Sequence, residues 1–147
     1  MLRLLKTFTI AALLNSTCFA SLAYAKESED SRCLQLNETL EKEYGYCGAV
    51  EAGGLLYVSG TVGSGDIKAG MVQAYENLKI ILNKRGLDFS DVVRETVFTT
   101  DLDTFTENRG LRKSYYKGTY PAASWLQVEK LYGGKYSVEI EVTAKLR

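Results

Sequence analysis

The chain has 147 residues, with 18 Lys and Arg balancing 18 Asp and Glu, and no histidine. That length fits one domain, and an even charge balance without a Lys/Arg run disfavours nucleic-acid binding, which needs positive charge to neutralise phosphates. Without histidine the commonest general base, every Ser-His or Cys-His nucleophile pair and most zinc sites are excluded, so any catalysis must run on carboxylates, Tyr, Ser, Lys, Arg or backbone groups.

Arg3 and Lys6 give a basic start, Thr7 to Ala23 is uncharged and mostly apolar, and Ala23-Tyr24-Ala25 has the small-x-small form that a signal peptidase accepts. Residues 1–25 are therefore expected to be a cleaved signal peptide. The competing reading is a membrane anchor, but the run is at the short limit for a span and Asn15, Ser16 and Thr17 interrupt it. A lipid anchor on Cys18 is set aside because those three residues are too polar and end in too large a side chain. Cleavage leaves about 120 residues, enough for one modest core. It removes two basic residues and no acidic one, so the rest is slightly acidic. The expected location is periplasmic or secreted, with no membrane attachment after cleavage. There Cys33 and Cys47 can form a disulfide closing a loop of about 15 residues, which stabilises by roughly 3 kcal/mol in the chain-entropy treatment; two free buried thiols are the alternative.

Residues 26–45 form an N-terminal segment: a charged start over Lys26 to Asp30, then a polar stretch from Ser31 to Glu43 that suits either a short helix or a strand. Asn37-Glu38-Thr39 is a glycosylation sequon, relevant only to a eukaryotic source. The main domain is placed at 46–147. Leu55 to Ser59, between Gly53-Gly54 and Gly60, reads as a strand. Ile67, Met71, Ala74, Tyr75, Leu78, Ile81 and Leu82 recur every three or four residues, one face of a helix closed by Gly86. Val92 to Thr100 is β-branched and reads as a second strand. Thr104 to Glu107 has capping-box spacing, and Phe105, Asn108, Leu111, Arg112 and Tyr115 outline a second helix that stops before Gly118 and Pro121. Ser124 to Tyr132 and Lys135 to Leu146 flank Gly133-Gly134 and read as a hairpin. In the last strand Tyr136, Val138, Ile140, Val142, Ala144 and Leu146 alternate with Ser137, Glu139, Glu141, Thr143 and Lys145. This order predicts an α+β fold, a mixed sheet with two helices on one face, whose other face is solvated or covered by a partner.

Four stretches resemble one family. They are Val50 to Gly60, ending in Val-Ser-Gly; Glu76-Asn77-Leu78-Lys79; Asp91 to Phe98 followed by Asp101-Leu102-Asp103-Thr104-Phe105; and Val138-Glu139-Ile140-Glu141. In that order and spacing they resemble the RidA/YjgF family from about Tyr46 to Leu146. The resemblance implies a chorismate-mutase-like homotrimer, its sheets forming a central barrel and three clefts lying between subunits. It implies hydrolysis of 2-imino acids to 2-keto acids and ammonia, with no metal and no cofactor. In the family an arginine of a Pro-Ala-Arg-Ser motif clamps the substrate carboxylate and a C-terminal glutamate orients the attacking water. Here Glu139 matches that glutamate, Tyr46 a cleft tyrosine and Ser59 the serine of Val-Ser-Gly. Pro121-Ala122-Ala123-Ser124 puts Ala123 at the clamp, and Arg109, beside Asn108, replaces the usual asparagine.

Losing a bidentate guanidinium–carboxylate pair costs on the order of 3 kcal/mol, about a hundredfold in recognition, so weak deamination is expected. Arg109 is either a substitute cation entering the cleft or a solvated helix arginine like Arg112 and Lys113. Glu139, beside Glu141, is either a general base with a raised pKa or one of two glutamates on a wet sheet face. Trp125, after Ser124, either stacks on a ligand or packs at the trimer interface. Cys47 is no nucleophile without a histidine to activate it. The expectation is an exported trimer binding a small molecule in its clefts. An active imine deaminase using Glu139 and Arg109, and a non-enzymatic holdase or signalling protein, are the rivals; nuclease activity ranks last.

Overall fold

A computed structural model describes residues 32–147; the expected signal peptide lies outside them. In chain order the elements are β1 (Cys33–Leu34), α1 (Glu38–Tyr44), β2 (Ala49–Ala52), β3 (Leu55–Ser64), α2 (Ile67–Asn83), β4 (Val92–Thr99), α3 (Leu102–Glu107), α4 (Arg109–Tyr116), β5 (Ala122–Gln127) and β6 (Tyr136–Lys145). The undecided N-terminal stretch holds both a two-residue strand, β1, and a short helix: Asn37 caps α1 by accepting from the Leu40 N–H, and Gly45 ends it. A Cys33–Cys47 disulfide, its Cα atoms 5.6 Å apart, ties the strand before α1 to the chain after it.

The described strands form one mixed sheet in the order β1-β2-β3-β6-β4-β5. Among them only β4 and β5 run parallel. They are joined through α3 and α4, because parallel neighbours need a crossover rather than a tight turn. The tight glycine turn lies elsewhere than the sequence suggested. Gly53 and Gly54 both have positive φ and join β2 to β3, with Ala52 opposite Leu55. Gly133 and Gly134 instead form a short 3-10 turn, and β5 does not pair with β6; β4 lies between them. A Gly-Gly pair signals permissive backbone, not which strands will meet. Here the ten-residue β6 has both edges taken by β3 and β4.

The apolar stripe of α2 packs on the sheet face made by Leu56, Val58, Val97, Val138, Ile140, Val142 and Ala144. Gly63 and Gly70 let strand and helix backbones meet, since a Cβ on Gly63 would run into the Gly70 carbonyl. The alternation expected for β6 holds except at Ser137, which is buried. A register shift opposite Gly63 and Ser64 turns it towards α2, where its hydroxyl donates to the Gly63 and Asp66 carbonyls. The second predicted helix is two. Asp101, not Thr104, caps α3, accepting from the Thr104 N–H at 3.0 Å and the Thr104 hydroxyl at 2.7 Å, and Asn108 separates α3 from α4.

Candidate functional site

The sheet's helix-free face carries the first group. Glu139 sits opposite Val62 on one side and Phe98 on the other. Its carboxyl lies against Gly60, whose place in a bulge of β3 leaves no room for a Cβ there. Burial, then the charge of Glu141, raises the Glu139 pKa above the usual glutamate value. Ser59, next to Gly60, donates its hydroxyl to the Cys47 carbonyl at 2.6 Å, and its N–H bonds the Gly48 carbonyl. The disulfide loop is thereby pinned to the bulge. Tyr46 precedes Cys47 and is exposed. Burial first, then the charges of Glu41 and Tyr136, hold its hydroxyl more firmly protonated than usual.

β5 carries the second group. Ala123 pairs with Glu95 and Trp125 with Val97, both on the helix face, whereas Ser124 pairs with Thr96 on the opposite face and its hydroxyl accepts from Arg94 Nη2 at 3.1 Å. Trp125 packs edge-on against Phe105 of α3, with ring centroids 5.4 Å apart. Asn108 and Arg109 mark the joint between α3 and α4. The Asn108 amide donates to the Thr104 carbonyl, and exposed Arg109 donates through Nη1 to the Thr106 carbonyl at 3.0 Å. Within one chain Glu139 and Ala123 therefore face opposite sides of the sheet with β4 between them.

The most constrained polar cluster escaped the sequence reading. Glu95, wholly buried in β4, accepts four hydrogen bonds. Oε1 takes the Tyr75 and Tyr116 hydroxyls at 2.9 and 2.8 Å, and Oε2 takes Arg112 Nε at 2.6 Å and the Trp125 indole N–H at 3.4 Å. Arg112, expected to be solvated, is 6% exposed. Its guanidinium carbon lies 4.7 Å from the Tyr116 ring centroid and 5.3 Å from that of Trp125. Burial opposes the Arg112 charge, but Glu95 outweighs it and the pKa is raised. Burial, with the adjacent carboxylate, also pushes the Tyr75 and Tyr116 hydroxyls far up, so both stay neutral donors. Two signals were legible. Glu95 shares its strand face with Val97 and Thr99 by simple alternation, and Arg112 lies one helical turn from Tyr115 and Tyr116.

Comparison with known proteins agrees with this architecture. The family model described as Endoribonuclease L-PSP matches residues 37–146. Protein DfrA of Myxococcus xanthus is 38% identical over 104 residues, covering 65% of this chain and 79% of the relative. A 2-iminobutanoate/2-iminopropanoate deaminase of Mus musculus is 38% identical over 108 residues, covering 67% and 79%. Among solved structures, a YjgF/YER057c/UK114 family member from Mycobacterium tuberculosis superposes with a TM-score of 0.71 at 31% identity, covering 78% of this chain and 98% of its own. A Yersinia pestis protein of the conserved Rid family gives 0.64 at 30% identity, covering 69% and 87%. Fold, motif order and these relatives agree: the chain belongs to the Endoribonuclease L-PSP family, that is, to the RidA/YjgF proteins.

Proposed function

We propose that the protein is exported, assembles as a homotrimer and binds a small molecule in clefts between subunits, with little imine deaminase activity. The observation that carries this reading is the placement of Glu139 and Ala123. Glu139 and Ala123, to which the family resemblance assigns water orientation and the clamp position, lie on opposite faces of one chain's sheet. A cleft between subunits can draw the two from different copies, which supports this reading. The methyl group of Ala123 offers no cation where the family resemblance puts the carboxylate clamp, so a substrate acid has no guanidinium on β5. The disulfide supports an oxidising compartment.

The test is hydrolysis of enzymatically generated 2-iminobutanoate by the protein lacking residues 1–25, with ammonia as the readout. The expected rate is about a hundredfold or more below that of a family member with the arginine, and Ala123→Arg should raise it. Rapid ammonia release by the unmodified protein would instead favour an active deaminase, to which the raised pKa of Glu139 lends its general base.

A further inference from the structure

Between α2, α4 and the turn at Phe89 lies a cavity of about 590 Å³, within the range of small-molecule sites, roughly 300–1,000 Å³. None of Tyr46, Ser59, Ala123 and Glu139 lines it. It opens on the helix layer, so covering the helix-free face in the proposed trimer leaves it accessible. Its floor is aromatic and already packed. Half-buried Tyr115 stacks on Tyr75 with ring centroids 4.8 Å apart and lies 5.4 Å from Phe89. The walls are polar, with Glu76, Lys79 and Asn83 from one face of α2 and Ser114 and Lys117 from α4. The acids are engaged within the protein: Glu76 accepts the Tyr115 hydroxyl at 3.0 Å and pairs with Lys79 at 3.5 Å, while Asp88 is bonded by Ser90 and Arg147. The Asn83 amide and the Lys117 ammonium have no partner among the described residues. Lys117 is also the one described residue other than glycine with positive φ, 50°. Glycine would occupy that left-handed position without strain. Lys113 already sets a cation in the last turn of α4, so the helix dipole does not account for a second one here. The strained backbone holds a free cation at the rim of a cavity.

We propose that this cavity is a second binding site, independent of the intersubunit clefts, and that its ligand is a hexose phosphate. Lys117 takes the phosphate as a compact point charge, with Lys79 on the facing helix adding to the field. The Tyr115 ring carries the apolar face of the sugar. Asn83, Ser114 and the remaining lone pairs of Glu76 and Asp88 meet its hydroxyls, since each carboxylate oxygen can accept more than one hydrogen bond. The mixture of groups is what selects this class. A bare anion has no use for an aromatic floor or for acceptors, and an uncharged sugar has none for an unpaired lysine.

The experiment is calorimetric titration of the protein with glucose 6-phosphate, glucose 1-phosphate, glucose and inorganic phosphate. Saturable binding of at least one sugar phosphate, tenfold or more tighter than glucose and phosphate, is expected. Lys117→Gly should weaken it at least tenfold without lowering the melting midpoint, because glycine suits the left-handed backbone; lost recognition is thereby separated from lost folding. Ser114→Trp, at an exposed wall position, should fill the cavity and weaken binding as much. Lys113→Ala, an α4 cation outside the cavity, should leave it unchanged. Failure of both sugar phosphates to bind overturns the inference. So do equal affinity for inorganic phosphate, undiminished binding in Lys117→Gly, and an equal loss in Lys113→Ala.

Discussion

A carboxylate whose four hydrogen bonds all come from protein has narrow tolerance for change. Arg112→Ala would strand the Glu95 charge in the core, and a loss of about 3–5 kcal/mol in urea unfolding is expected. The double substitution Arg112→Met with Glu95→Gln, which removes both charges together, should recover most of it. Glu139 makes a different statement. Its folded pKa is raised, so the protonated form is the better fit, and its contribution to stability is complete below the ordinary glutamate value and lost as pH rises through the raised one. Glu139→Gln should therefore raise the melting midpoint at pH 7, with the gain closing below about pH 4. Thermal melts of both proteins across that range check the sign, and an unchanged midpoint at pH 7 would contradict the raised value.

At the scale of elements, α2 and β3 approach through glycines. Gly63→Ala would press a methyl into the Gly70 backbone, which cannot rotate away as a side chain can. A destabilisation of about 1–3 kcal/mol by overpacking is expected in denaturant melts. The disulfide acts mainly on the unfolded chain. Cys47→Ser should cost roughly 3 kcal/mol, and midpoints measured with and without reductant should differ for the parent and not for the variant. What could be read from sequence follows the same division. α2 and β6 announce themselves because one periodic stripe meets one buried face. The β5 pairing did not, because a parallel partner is chosen by the crossover helices and not by any turn residue. The caps were local and still misplaced, since Asp101 and Thr104 both suit an N-cap and the backbone before Leu102 decides between them.

At the scale of the molecule, the helix-free face presents Arg94, Thr96, Phe98, Glu139, Glu141 and Thr143 from two central strands, along with Tyr57 at 46% exposure. In the proposed trimer this mixed, aromatic-bearing surface on a six-stranded sheet is the one expected to be buried. Sedimentation of the protein should give three times the protomer mass, and Thr96→Arg on that face should shift it towards monomer. The candidate site was legible from sequence only as a roster of family positions. That Glu139 and Ala123 lie on opposite faces of one chain's sheet, and that Arg112 pairs with the buried Glu95 that stands opposite Ala123 in the strand register, are properties of strand faces in a sheet whose order departs from the chain's.

That shuffled order has a consequence for how the protomer breathes. The last strand of the chain is clasped on both sides, while the strand made just before it hangs on a single neighbour. Amide protons along Val138 to Val142 should be the slowest to exchange with heavy water, and those of Ala122 to Gln127 among the fastest in the sheet, unless another subunit shelters them. The rim nearest the aromatic-clamped cation is thus among the parts of the sheet that open most readily.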